Sequence, residues 1–96
     1  MVSRYARKVD GNHSDTVDAL RKIGCSVIDL SRVGGGCPDL MVGYRGCTIL
    51  MEVKNVRGRN KIEDSQRDWI ATWRGDPVHV VRSPEQAVEV AGSYGK

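Results

Sequence analysis

The sequence predicts a single α/β domain in which helices flank a mixed sheet. Three observations lead there. Two apolar runs, PDLMVGY at 38–44 and CTILMEVK at 47–54, are separated only by Arg45-Gly46, which reads as a tight antiparallel hairpin. A helix-period segment at 62–75 divides that hairpin from a further apolar run, PVHVV at 77–81. A strand that returns after a helix joins its sheet by a right-handed crossover, and the result is a mixed sheet.

Each element has its own signals. Residues 1–11 read as a basic flexible arm carrying Arg4, Arg7 and Lys8, and residues 12–96 as the domain. NHSDTVDALRKIG at 12–24 is the first helix. Asn12 or Ser14 can cap it, and Asp15 and Asp18 lie in its first turns, where the helix dipole favours acids. His13, Val17, Leu20 and Ile23 or Gly24 fall on one inward face, and Gly24 stops the helix. CSVIDL at 25–30 is a short strand and SRVGGGC at 31–37 a glycine-rich loop. NVRGRNK at 55–61 is a polar, basic loop. In the second helix, Ile62, Gln66, Trp69, Ile70 and Trp73 share a face and Gly75 closes it. The last helix, 83–92, has Ser83 as cap and Pro84 at its first position. The order is α-β-β-β-α-β-α. Trp69 and Trp73 read as core or subunit-interface residues, and His79 as a surface or partner-facing one.

Composition narrows the function classes. The 96 residues are 40% hydrophobic and 28% charged, as in an ordinary globular domain. No apolar run approaches the roughly 20 residues that span a bilayer. The basic N-terminus has no apolar h-region, so no secretory signal is expected. Three cysteines without a C-x-x-C spacing point to a reducing compartment and away from a disulfide framework or zinc ribbon. The net charge of +3 is uneven: residues 1–61 hold eleven Lys and Arg against six Asp and Glu, whereas 62–96 hold four against six. A basic half suits an anionic polymer such as nucleic acid.

The chemistry concentrates at the end of the 47–54 strand. Side chains two apart share a face, so Leu50, Glu52 and Lys54 lie on one side and Ile49, Met51 and Val53 on the other. Apolar residues on both faces mark a central strand. An unpaired Glu52 there would cost several kcal/mol or be forced to protonate. A turn at Arg45-Gly46 pairs residue i with about 91−i, which sets Asp39 opposite Glu52. Two carboxylates at that distance raise each other's pKa. Lys54 or a divalent cation can hold the charge, and Mg²⁺ or Mn²⁺ bound by both acids removes the conflict. A surface strand with a cross-strand salt bridge would account for the same E-x-K more simply. Against that, the pair closes an apolar strand, and a Pro-Asp opens its neighbour.

GGGCPDLMVGYRGCTILMEVK followed by SQRDWIATW resembles the PD-(D/E)XK nuclease superfamily, and in detail the small stand-alone VRR-NUC domains of phages and prophages. The resemblance runs from Asn12 to about Val90. It implies a restriction-endonuclease-like core and a Mg²⁺- or Mn²⁺-dependent endodeoxyribonuclease that acts on branched DNA as a homodimer, like a Holliday-junction resolvase. It implies that Asp39, Glu52 and the carbonyl of Val53 bind the metal, that Lys54 serves the nucleophile, and that Gln66 lies near Lys54. His13 is aligned with a Glu that relatives often carry; it would ligate the metal or hydrogen-bond beside it, or else be a packed or solvated side chain. Arg4, Arg7, Lys8, Arg57, Arg59 and Lys61 are the expected DNA contacts. The resemblance places the protein in the cytoplasm of a bacterial or phage-infected host, with no membrane partner. Competing readings are a non-catalytic DNA-binding module and a repair or restriction-like nuclease acting on flaps or duplex ends. The loop SRVGGGC would border the site, either approaching phosphate or only delivering the chain to Asp39.

Overall fold

The computed structural model describes the backbone of residues 3–54 and 62–95, and the side chains of these from residue 12 onward. Its elements follow the expected order: α1 (Ser3–Lys22), β1 (Ser26–Asp29), β2 (Leu40–Tyr44), β3 (Cys47–Val53), α2 (Asp64–Thr72), β4 (His79–Val81) and α3 (Pro84–Gly92). The four strands form one mixed sheet in the order β1-β2-β3-β4. β1 and β3 both run antiparallel to β2, and β4 lies parallel to β3 after the α2 crossover. Among the described residues no helix is long and apolar enough to cross a membrane.

The hairpin register is the one the turn dictates. Tyr44 pairs with Cys47 and Leu40 with Met51. Arg45 and Gly46 have φ of 51° and 82°, the left-handed conformation that a two-residue hairpin turn demands at both positions. Arg45 also lays its guanidinium over the Tyr44 ring, 4.9 Å from the centroid.

α1 departs from expectation at its start. Its backbone begins at Ser3, so residues 4–8 continue the helix where a separate arm was expected, and Asn12 and Ser14 lie inside it. Ala, Arg and Lys are good helix formers, and Gly11 costs only about 1 kcal/mol. The inward face is also rotated. Thr16 and Leu20 are buried and Val17 packs beside them, while Ile23 is exposed. The stop is as expected: Cys25 N–H donates to Leu20 O (3.0 Å) and Gly24 N–H to Arg21 O (3.0 Å), with Gly24 at φ 98°. That is a Schellman closure, which favours glycine.

One sheet face makes the core. Leu40, Val42, Ile49, Met51 and Val81 pack with Leu20 of α1 and with Ala87 and Ala91 of α3. Ser83 caps α3 by accepting from Gln86 N–H at 3.0 Å, and Pro84 follows. His79 shares the core side with Met51 and Val81, contrary to the surface position expected of it. The Tyr94 hydroxyl, 2.7 Å from its Nε2, meets the polar requirement that would otherwise keep a His out.

The other face carries Ile28, Met41, Leu50, Glu52 and Val80, and α2 covers it thinly. α2 is shorter than the expected 62–75 and buries none of its residues. Trp69 and Trp73 stack on each other with centroids 4.7 Å apart, and Trp73 is 44% exposed, so neither belongs to the core.

Removing buried methylenes from the central strand tests this division of faces. Met51→Ala is expected to cost about 2–5 kcal/mol in urea unfolding. Ile28→Ala, at a side chain 56% exposed on the other face, is expected to stay within about 0.5 kcal/mol.

Candidate active site

Asp39 sits one step beyond the Leu40–Met51 pair, and the same register brings it opposite Glu52. Its Oδ2 accepts from the Val53 N–H at 2.9 Å, so a side chain continues the ladder where the strand backbone stops. Its carbonyl accepts from Leu30 N–H at 2.7 Å, tying it to the end of β1 as well. Pro38, buried just before it, fixes the chain's approach.

Glu52 is 2% exposed. Lys54 Nζ lies 3.3 Å from its Oε2. Gln66, in the first turn of α2, completes the group. Its Oε1 accepts from Lys54 Nζ at 3.0 Å and from Glu63 N–H at 3.1 Å, and its Nε2 donates to Glu52 Oε2. Those partners fix which end of the amide is which. One glutamine thus bridges the acid and the base that the strand places two apart.

The electrostatics show an unresolved conflict. Burial pushes the Glu52 carboxyl above its ordinary 4.5, and the charge of Asp39 pushes the same way. Lys54 and the Gln66 hydrogen bond oppose the rise without cancelling it. The Cys37 thiol, two residues before Asp39, is raised by burial and by both carboxylates.

That donor set fits a hard divalent cation. Each hydrogen-bonded carboxylate has about four lone-pair sites and retains capacity to ligate. The N–H and C=O of a strand residue point to the same edge, so the Val53 carbonyl joins Asp39 on that side of β3. Mg²⁺ takes one or two protein carboxylates and leaves the rest of its shell to other oxygens. Among the described residues no group of three or more His, Cys, Asp or Glu side chains could hold a metal, so the protein's side-chain share would be these two acids.

His13 is not part of the group. Its Nε2 lies 3.4 Å from Asp29 Oδ2 on β1, without a hydrogen bond, in a polar cleft with Ser14, Asp18 and Arg21. Arg4, Arg7 and Lys8 fall on α1 where side chains are not described, and Arg57, Arg59 and Lys61 lie outside the described residues.

Two contributors escape a reading of the sequence. Asn12, expected as a cap, instead donates from its side-chain amide to Lys54 O (2.5 Å) and Arg82 O (3.1 Å). Gly36 lies against α2: a Cβ there would collide with the Ser65 carbonyl oxygen. The glycine-rich loop therefore does more than deliver the chain to Asp39, because its last glycine lets α2 come close enough for Gln66 to reach Glu52.

The chain matches no protein-family model, no curated protein and no solved structure.

Two outcomes follow from this geometry. Gly35→Ala, at φ 64° with open space around it, should cost about 1–2 kcal/mol of strain. Gly36→Ala should cost more in the same urea titration, because backbone cannot yield as a side chain does. The second outcome concerns pH. With its folded pKa above the unfolded value, Glu52 keeps its proton longer in the folded chain. Its contribution to stability is therefore full at low pH and falls as pH rises through 4.5 toward the raised value. The stability of wild type relative to Glu52→Gln should decline as pH rises through 4.5 in metal-free buffer. Mg²⁺ or Mn²⁺ should recover the difference, by about 2.7 kcal/mol at a hundredfold excess over Kd.

Proposed function

We propose that this chain is a divalent-metal-dependent endonuclease that hydrolyses DNA phosphodiesters, on a sheet of the PD-(D/E)XK type. The observation that carries the reading is the placing of Asp39, hydrogen-bonded to Val53 N–H, opposite a buried Glu52 whose Oε2 lies 3.3 Å from Lys54 Nζ. Fold outline and site agree: the acids and the amine gather at the ends of β2 and β3, beside the α2 crossover.

Each residue then has a task. Asp39 and Glu52, with the Val53 carbonyl, would hold Mg²⁺ or Mn²⁺. When bound, such an ion neutralises charge on the scissile phosphate and makes water a stronger nucleophile at neutral pH. Lys54 lies against Glu52, where its ammonium can orient a water or offset charge developing on phosphate oxygens. Gln66 fixes the Lys54 amine by accepting from it at 3.0 Å, and the same amide steadies Glu52. The positive charge concentrated in residues 1–61 supports DNA as the substrate. Its lysines and arginines at 4–8 and 57–61 are the proposed grip on the phosphate backbone.

Branched DNA and a C₂ homodimer belong to the same reading. Two symmetric cuts require two sites, and the described residues form one. A sparsely docked α2, with Trp73 and, on β4, Val80 (36% exposed) open to solvent, supports an apolar contact with a second copy. The proposed setting is a bacterial or phage-infected cell.

One observation favours a second reading. Glu52, Lys54 and Gln66 satisfy one another, as they would in a DNA-binding module that has no catalysis to perform. Labelled four-way junction, flap and linear duplex, incubated with Mg²⁺, Mn²⁺ or EDTA, separate the readings. Metal-dependent cleavage, strongest on the junction and reduced at least ~100-fold in Lys54→Ala and Asp39→Ala, is expected. Cleavage that survives EDTA or either substitution contradicts the mechanism. Binding without cleavage under every metal favours the module, and preference for flaps or ends favours a repair-type nuclease. A monomer in light scattering at micromolar concentration would contradict junction resolution.

A further inference from the structure

Lys54 follows Val53 at the end of β3, and Arg82 follows Val81 at the end of β4. The carbonyls of both accept from one side-chain amide, that of Asn12 on α1, at 2.5 and 3.1 Å. Both acceptors are oxygens, so the NH₂ end must face them, and its two hydrogens match two carbonyls. The peptide nitrogens are held too. Lys54 N–H donates to Val81 O at 2.9 Å, and Arg82 N–H to Gln86 Oε1 at 2.5 Å. The residue that carries the site's amine is therefore held through both polar groups of its backbone, the N–H by β4 and the carbonyl by α1.

We infer that Asn12 is a positioning residue for Lys54: it fixes the backbone from which the amine reaches Glu52 and Gln66. The inference rests on the nuclease reading for its kinetic consequence but not for its geometry. Without the amide, the carbonyls of Lys54 and Arg82 lose the donor they share, and the Lys54 backbone keeps its N–H bond to Val81 O but loses the hold on its carbonyl. A displacement of about 1 Å at a catalytic group can cost on the order of 100-fold in rate. Asn12 touches neither Glu52 nor the Lys54 amine in this network, so it acts only through the backbone. Position matters as well as hydrogen bonding. An aspartate at 12 has nearly the same shape but would turn a carboxylate oxygen toward both carbonyls.

The test uses Asn12→Ala and Asn12→Asp in the full chain. Single-turnover cleavage of a saturating four-way junction should fall about 10- to 100-fold, with Asn12→Asp no better than Asn12→Ala. Junction affinity should stay within about twofold, because no phosphate contact has been removed. A folded variant that cleaves within twofold of wild type, or one that loses affinity in place of rate, overturns the inference. A separate readout needs no cleavage. In the NMR spectrum of the wild type, a held Lys54 should give two resolved Hε resonances, which merge in Asn12→Ala as the side chain averages. If the wild type cleaves nothing, the nuclease reading fails and this spectrum still decides the positioning role; an unchanged Lys54 pair refutes it. Should neither variant fold, exchange of the Asn12 side-chain amide protons in the wild type decides. Slow exchange supports the clamp, and exchange at the rate of a free amide overturns it.

Discussion

Glu52 is 2% exposed, and a carboxylate so far from water costs several kcal/mol unless charge and hydrogen bonds oppose the loss. Everything at this end of the molecule answers to that cost. The amine of Lys54 comes from the same strand, the amide of Gln66 from α2, and a second acid, Asp39, from across the hairpin. Asp39 makes the cost larger, because its charge pushes the Glu52 carboxyl further up. A fold selected for stability alone gains nothing by placing a second acid there. The proposed divalent cation would offset that cost.

The two faces of the sheet divide the work. Leu40, Val42, Ile49 and Met51 bury one face against α1 and α3, and that packing holds the strands in register. The other face ends in the charged group and is roofed by α2, which buries none of its own residues. Polar contacts through Gln66 and the close approach at Gly36 therefore set where α2 sits. Segments with few buried apolar contacts open at the lowest free energy. The helix that completes the site is thus also the one whose docking depends most on the site's own charges.

How much of this was legible in the sequence depends on how local the signal is. The hairpin was, because a two-residue turn at Arg45-Gly46 fixes the register and so the meeting of Asp39 with Glu52. The stop at Gly24 and the Ser83-Pro84 start of α3 were legible for the same reason, each resting on a few adjacent residues. The inward face of α1 was legible only in part, since Val17 and Leu20 do turn inward as expected. Apolar periodicity picked out His13, Val17 and Leu20, whereas the residues turned inward include Asn12 and Thr16, which are polar and carry no hydrophobic signal. Asn12 resembles a helix cap because capping and long-range clamping use the same amide chemistry, and only the position of β3 and β4 tells them apart. His13 illustrates the converse. Its alignment with a Glu that relatives often carry suggested the metal site, but its Nε2 lies 3.4 Å from Asp29 Oδ2 on β1. His79 looked exposed from its alternation with Val78 and Val80, since a partner for it, Tyr94, lies far along the chain.

The central claim is that Asp39 and Glu52 share a divalent cation. Crystals grown with millimolar Mn²⁺ test it most directly, through anomalous diffraction at the manganese edge. The account predicts one strong peak between the two carboxylates, within bonding distance of both and of the Val53 carbonyl, and its loss in Glu52→Gln. A well-ordered site without manganese, its carboxylates still joined only to Lys54, Gln66 and the Val53 N–H, would contradict it.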